Sequence, residues 1–548
     1  MAHPDVPTGR QQRLRALSAG FDVVVVGAGV NGAGIAWDAA LRGLRVLLVD
    51  KGDVGSGTSA WSSRMIHGGL KYLEKYDVPL VRESLREREW LLRSAPHLVR
   101  ELRFLLPFYE QNAHSARKLK LGMVAYDVLS FEKSVRRFEL LSRDEILARE
   151  PGLDPAGLSG AAAYSDAQVD YAERLSYEIA LAAQGAGAHL LTYVRAVDLG
   201  RADGQVTSIT LRDEFEGVTY EAPARAVVNA AGPWIDEVWA DSDLDLPRMN
   251  GGTKGTHLIV DPFPGAPHDA FYYEAVTDGR PMMVIPWLGR YLLGSTDLRF
   301  SGDLDTVSAD PQEYDYILRE TNRVIPAANL TIGDVRYAYT GVRPLPYAEG
   351  GDVADVTRRH EIVHHAPAVR GLYTLVGGKL TTFRQVGEEA GDRLCRYLGV
   401  RRRSVTRRLA LPGGGEPNLE RLRREVTRSG LPERLVTRLV DQYGTRAPDV
   451  AALITAESAT REVLDDDFQL TTGEVAWAVT REDAQRVADV LARRTMIGLE
   501  NDLGVGVVER VAERCQQLLG WDDARRDAEI AFYCGYITRF QPEGSTAP

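Results

Sequence analysis

Cysteine is nearly missing from this chain: Cys395, Cys515 and Cys534 are the only three in 548 residues. They are odd in number and lack metal-ligand spacing, so neither a disulfide framework nor a metal site is expected, and a reducing cytosol suits them. Long apolar runs are missing too. No stretch approaches the roughly 20 residues of a membrane span, and Met1 to Ser18 is polar and Arg-rich rather than a secretory leader. The expectation is a cytoplasmic protein, soluble or held peripherally on the cytoplasmic membrane. Positive charge is short: 66 Lys and Arg face 77 Asp and Glu, a net charge of −11. That balance argues against nucleic acid as a partner. No tandem repeat is visible. A hydrophobic share of 44% makes the chain globular and long enough for about two to four domains.

What is present begins with Phe21-Asp-Val-Val-Val-Val-Gly-Ala-Gly-Val-Asn-Gly, closed by Val46-Leu-Leu-Val-Asp50. An apolar run reads as a buried parallel strand, breaks on Gly27, Gly29 and Gly32, and passes into a helix from Ala33 to Arg42. Glycine lets the chain turn, lets a pyrophosphate approach the backbone, and lets helix pack on strand. The phosphates then meet free N–H groups at the helix N-terminus. Asp50, ending the second strand, is placed to accept hydrogen bonds from a ribose. Only one such loop exists. Gly413-Gly-Gly415 follows no strand and reads as a linker. A flavoenzyme reduced by a pyridine nucleotide often carries a second dinucleotide loop, so one bound flavin and an acceptor other than NAD are favoured.

Further along, Val78 to Arg93 and Asp170 to Ala183 carry helical spacing, and His189 to Val194 reads as a strand. Asp203-Gly204 marks a hairpin leading into Val206 to Leu211. Ala226 to Trp234 is a strand entering a tight turn, and His257 to Val260, Met282 to Pro286 and Tyr291 to Gly294 make 255–300 strand-rich. An antiparallel substrate sheet beside a parallel nucleotide sheet is the expected pattern. After about Val400 helical spacing dominates, as in Val475, Val479, Val487, Val490 and Leu491. We therefore expect a discontinuous cofactor domain over 20–398 with a substrate-binding insertion at about 235–340. A linker at 399–415 and a helical domain at 416–540 follow.

Three groups of residues are candidates for chemistry. Gly55 to Gly69 is dense in hydroxyls and glycine and follows the ribose-binding acid, so it reads as a loop that wraps a cofactor. His67 within it is a candidate base, since an imidazole suits proton abstraction near neutral pH. Arg343, Arg358 and Lys379 sit beside turn residues and could hold a phosphate. Finally, Arg100 to Arg137 holds eight Lys and Arg (Arg100, Arg103, Arg117, Lys118, Lys120, Lys133, Arg136, Arg137) against four acids, with Leu119, Leu121, Met123 and Val124 interleaved. Such a segment reads equally as a solvated face or as a contact with an anionic membrane.

The chain resembles FAD-dependent glycerol-3-phosphate dehydrogenases of the aerobic, respiratory kind. The likeness rests on VVVVGAGVNGAGIAWDAALRGLRVLLVD, SSRMIHGGLKYLE, VVNAAGPW, KGTHLIV, IPWLGRYLLGSTDLRFSGD, YTGVRPLP, GGKLTTFRQ and VLARRTMIGL, spanning roughly residues 20–500. It implies an α/β fold: a glutathione-reductase-like FAD-binding domain, a mixed, largely antiparallel substrate-domain sheet and a C-terminal all-α domain. It implies FAD held by Gly27, Gly29, Gly32 and Asp50, by Thr58, Ser59, Ser62, Ser63 and Arg64, and by Gly232, Lys379, Leu380 and Thr381. His67 would lie beside the flavin ring and Arg343 would face substrate. Lys71, Arg343, Arg358 and Lys379 would bind the substrate and its phosphate. Lys71 departs from the family's usual HGGLRYLE, keeping the charge but not the bidentate geometry. The stretch from Asp170 to Arg174 carries an apparent extra residue, and neither residue receives a role. The implied reaction takes sn-glycerol 3-phosphate to dihydroxyacetone phosphate by hydride transfer to flavin N5. Electrons then pass to a quinone or, in the rival reading, to oxygen as in glycerol-3-phosphate oxidases. A non-catalytic flavin-binding module is the reading from another class. An anionic membrane surface and a homodimer are further partner expectations.

Overall fold

The computed structural model describes residues 9–70, 77–112, 116–350 and 356–542. Phe21–Val26 forms a strand buried at five of its six positions. It lies between Thr219–Asn229 and Val46–Val49, parallel to both, as a strand apolar on both faces requires. Leu372–Val376 and His189–Leu191 extend the parallel sheet on either side, and Glu361–His364 pairs antiparallel at one edge. Helices Val30–Leu41, Ala172–Gly185 and Phe383–Leu398 bury one face of this sheet. The strand expected over His189 to Val194 breaks at Tyr193, whose φ is +56°. Val194–Ala202 and Gln205–Asp213 then form a hairpin. Its turn, Asp203–Gly204, has φ values of +51° and +68°, the left-handed pair that a two-residue turn needs.

A ten-stranded, mostly antiparallel sheet stands beside the first. Thr253–Val260 pairs with Arg290–Gly294 and Val335–Arg343. The sheet continues through Pro281–Trp287, Ala270–Glu274, Val99–Tyr109 and Leu158–Val169 to Met65–Ile66. It therefore draws on much more of the chain than 235–340. The reason is physical: Val99–Tyr109 is buried along most of its length and needs partners on both edges.

That strand also divides the basic stretch 100–137. Arg103 is buried and donates to Glu139 at 2.7 Å, while Arg100 pairs with Asp170 and Arg136 with Glu101. Among the described residues of that stretch, only Ala116–Leu129 is a helix. It exposes Leu121, Val124 and Val128 beside the exposed Arg117, Lys118 and Lys120.

The C-terminal region folds into helices Leu419–Thr427, Glu433–Tyr443, Ala447–Ala456, Thr472–Thr480, Val508–Leu519 and Asp523–Ile537. Within the stretch read as a linker, 401–410 is mostly exposed, but Gly413 and Gly414 are packed. A Cβ on Gly414 would lie 1.8 Å from the Ser94 carbonyl oxygen, and the Gly413 N–H donates to Glu178. Fully buried Arg174 donates to Glu482 at 2.6 Å, and Arg446 bridges Glu178 and Glu482. Residues Val475 to Phe540 share one apolar core with the second sheet. The helical region is thus welded to the rest. Among the described residues no helix is long and apolar enough to cross a membrane, and no cluster could hold a metal.

Candidate active site

One cavity of about 910 Å³ is lined both by the C-terminal ends of the parallel strands and by the second sheet. In open α/β sheets this is where ligands collect. The turn after Phe21–Val26 opens onto it through Gly27, Gly29, Val30 and Asn31. Gly27 has φ +103°, and a Cβ there would meet the Ala230 carbonyl oxygen at 2.6 Å. Gly32 does not line the cavity. A Cβ on it would sit 1.8 Å from the Gly27 oxygen, so its role is to let helix pack on turn. Helix Val30–Leu41 has no acid in its first turn and no side-chain cap from its own Ncap residue. Instead the Ser59 hydroxyl accepts the Val30 N–H at 3.0 Å. Asn31 Oδ1 is buried without a hydrogen-bond partner. Asp50 lines the cavity while accepting N–H groups from Ala28 and Gly52 at 2.6 and 2.8 Å, which leaves lone pairs for a ribose. An anion-ready helix terminus, a glycine cradle and a terminal acid fit FAD.

Of the five residues named for the wrapping loop, four border the cavity. Thr58, Ser59, Ser62 and Ser63 line the cavity, as do Gly232, Leu380 and Thr381. Arg64 does not. It is wholly buried with φ +57°, and its guanidinium forks onto Glu173 at 2.7 and 2.8 Å against the Trp287 ring. A buried guanidinium needs a paired carboxylate, and Glu173 lies away from the cavity. Arg64 braces the loop; it does not contact the ligand space.

At the other end of the cavity the predicted cations converge. Arg343 and Arg358 grip opposite oxygens of Asp297 at 3.1 and 2.9 Å. Burial alone would raise Asp297, but the two guanidiniums outweigh it and hold the carboxyl below its ordinary range. Arg343 also donates to Ser295 and to the Thr296 carbonyl. Gly255 leaves it room, since a Cβ there would meet the guanidinium at 2.2 Å. Lys379 lines the same space with its ammonium withdrawn from solvent. Burial pushes its pKa down to about 7, against the pull of Glu83 and Asp77. Lys71 lies outside the described residues.

His67 takes its place through its backbone N–H, which donates to Thr381 Oγ1 at 3.2 Å. Burial pushes its imidazole down to about 4; Asp166 opposes this, and Lys379 and Arg88 add to it. The ring is therefore neutral at physiological pH. Asp166 is held by Arg88 at 2.6 Å and by the Tyr126 hydroxyl at 2.8 Å. Sequence reasoning missed Asp166, Asp297 and His257. His257 is 1% exposed, shares a 2.8 Å hydrogen bond with Ser63, and lines the cavity with Nδ1 unpartnered. It stands in the KGTHLIV stretch, where its polar ring inside a buried strand was the available signal.

A family model described as FAD dependent oxidoreductase matches residues 22–393. A second, the C-terminal domain of alpha-glycerophosphate oxidase, matches residues 404–526. A glycerol-3-phosphate dehydrogenase of Synechocystis sp. is 42% identical over 535 residues, covering 94% of this chain and 96% of that one. An aerobic glycerol-3-phosphate dehydrogenase of Staphylococcus saprophyticus is 30% identical, covering 93% and 92%. Among solved structures, the glycerol-3-phosphate dehydrogenase from Bacillus halodurans complexed with FAD aligns over 99% of both chains, with a TM-score of 0.81 at 25% identity. The chain is an FAD-dependent oxidoreductase and belongs to the glycerol-3-phosphate dehydrogenase family.

Proposed function

We propose that the protein oxidises sn-glycerol 3-phosphate to dihydroxyacetone phosphate and passes the electrons to a quinone. The observation that carries this reading is that Arg343 and Arg358, joined on Asp297, line one cavity with Lys379 and His67, Lys379 lying near enough to feel the charge of Arg358 and to act on the His67 ring. Three cations in one pocket of an acidic chain suit a phosphate dianion. Arg358 and Lys379 bind the phosphate. Arg343, fixed by Asp297, orients the substrate and steadies the negative charge that develops on the C2 oxygen. Neutral His67 takes the C2 hydroxyl proton. Bound FAD supplies the acceptor for the hydrogen and electron pair that leave C2. Thr58, Ser59, Ser62, Ser63, Gly232, Leu380 and Thr381, which line the cavity, would hold it.

Anaerobic addition of glycerol 3-phosphate to the purified holoprotein should bleach the flavin band, and acid denaturation should release FAD. An unbleached flavin would end the substrate assignment, and release of FMN would end the cofactor assignment. The alpha-glycerophosphate oxidase match of the C-terminal region gives oxygen standing as a rival acceptor. Turnover with a soluble quinone should outpace turnover with oxygen; stoichiometric peroxide at the full rate would reverse the choice.

The exposed face of Ala116–Leu129, with Leu121, Val124 and Val128 beside Arg117, Lys118 and Lys120, supports docking on an anionic membrane. Each basic residue near such a surface contributes roughly 1 kcal/mol, screened by salt. Sedimentation with anionic vesicles at low salt should therefore exceed that with neutral ones and fall as salt is added. Equal sedimentation would remove the electrostatic contact.

A further inference from the structure

The C-terminal helices reach the cofactor cavity at the end marked by Asp50. Three residues after Asp50, the carboxylate of Asp53 is 1% exposed. It accepts from Arg493 Nε at 2.6 Å and from Arg494 Nη1 and Nη2 at 2.7 and 2.8 Å. Both arginines lie in one widened turn, Val490–Arg494, wound with π rather than α spacing, and such turns gather at functional places. Arg493 also donates to Asp489 at 2.5 Å. Asp489 receives the Tyr193 hydroxyl as well, and the Tyr193 N–H donates to the Gly52 carbonyl at 2.9 Å. The loop from Asp50 to Asp53 is thus gripped from two directions by one short segment of the helical region.

That region also supplies cavity wall. Arg486 and Phe532 line the same space as Asp50, Lys51 and Arg195. The Arg486 guanidinium carbon lies 4.2 Å from the Phe532 ring centre and 5.3 Å from that of Tyr193. Its Nε is buried without a hydrogen-bond partner, while Nη1 pairs with the buried Glu529 carboxylate at 3.3 Å. Phe532 is 45% exposed, a large ring left half in water. A guanidinium stacked on an aromatic ring offers flat, electron-poor and electron-rich surfaces side by side, which suits a purine. Asp50 fixes where the adenosine ribose belongs, and these residues stand at the same end.

We propose that the C-terminal helical region is a cofactor-retention clamp: Arg493 and Arg494 hold the ribose loop through Asp53, while Arg486 and Phe532 close over the adenosine half of FAD. This assigns the region a task that is independent of the substrate oxidised and of the electron acceptor.

The test uses the full-length holoprotein and the double variant Arg486→Ala, Phe532→Ala, both partly exposed positions. FAD release on dilution is followed by recovery of free flavin fluorescence, and FAD and ADP are titrated into the flavin-free protein. The clamp predicts an FAD dissociation constant at least about tenfold higher and a parallel loss of ADP affinity. Because Arg486 also pairs with buried Glu529 at 3.3 Å, the flavin-free protein loses some melting temperature, and the clamp predicts a larger fall for the holoprotein, which keeps less of the stabilisation that bound FAD confers. Asp53→Asn serves as the second variant. It keeps the side chain's shape, and with the helical circular dichroism intact it should lose FAD faster than the parent. Parental FAD and ADP affinity in the double variant would overturn the clamp. So would a melting temperature lowered equally with and without FAD, because that marks a purely structural contact.

Discussion

Replacing His67 with alanine will slow anaerobic flavin reduction by about 10²–10⁴-fold, the usual cost of removing a general base. Substrate dissociation will barely change, because the phosphate is assigned to Arg358 and Lys379. The pH dependence follows from the environment of the ring. Burial holds the free imidazole near pKa 4, so it is neutral and able to accept a proton at every pH above that. A phosphate dianion beside Lys379 adds negative charge near the ring and lifts this value toward the ordinary 6.5. The parental reduction rate is therefore flat above neutrality and falls on the acid side, with its midpoint between about 4 and 6.5. The variant should lack that fall. Rapid-mixing absorbance at the flavin band across pH reads both effects. An FAD-loaded His67→Ala protein that reduces its flavin at the parental rate would take His67 out of the chemistry. Loss of FAD or of folded protein instead would make it a structural residue.

The nucleotide end of the site was legible in the sequence because its determinants are local. A buried strand, a glycine turn, a helix N-terminus and a terminal acid fall within thirty residues, and each is dictated by its neighbours' sterics or charge. Arg343, Arg358 and Lys379 were legible as types, since cations beside turns are cheap to spot, but not as a cluster. What joins the first two is Asp297, 46 and 61 positions away, and pairing at that range is a property of the sheets. Arg64 shows the opposite failure. Its place in the wrapping loop was plain, yet a positive φ and the buried Glu173 turn its side chain away from the ligand space. The basic run from Arg100 to Arg137 reads in the sequence as a solvated face or a membrane contact, although its first part is a strand buried without a break from Leu102 to Phe108, Arg103 included. Gly413 to Gly415 looked like a flexible joint because glycine permits that. Here it permits close packing on Ser94 instead, a difference that only the partner surface decides.

Lys379→Met will raise the apparent KM for glycerol 3-phosphate by about 10- to 100-fold while FAD stays bound. A charge-assisted contact to phosphate contributes about 1.5–3 kcal/mol, which sets that range. The buried ammonium adds a pH signature. With its pKa pushed down to about 7 by burial, Glu83 and Asp77 opposing, Lys379 is charged below that pH and neutral above it. The dianion binds the charged form, so above pH 7 each binding event must first take up a proton. Parental KM should therefore climb toward tenfold per pH unit on the alkaline side, and calorimetry in two buffers of different ionisation heat should register proton uptake. Below pH 7 the KM should level off until the substrate phosphate itself protonates. In Lys379→Met the alkaline climb should vanish, since the group that titrates has gone. Lys379→Arg separates charge from shape: a guanidinium stays protonated, so affinity should become independent of pH over the same range even if the longer side chain fits poorly. A Lys379→Met variant that binds glycerol 3-phosphate as tightly as the parent, with the alkaline climb intact, would move the phosphate away from Lys379 and leave it to Arg343 and Arg358 on their shared Asp297.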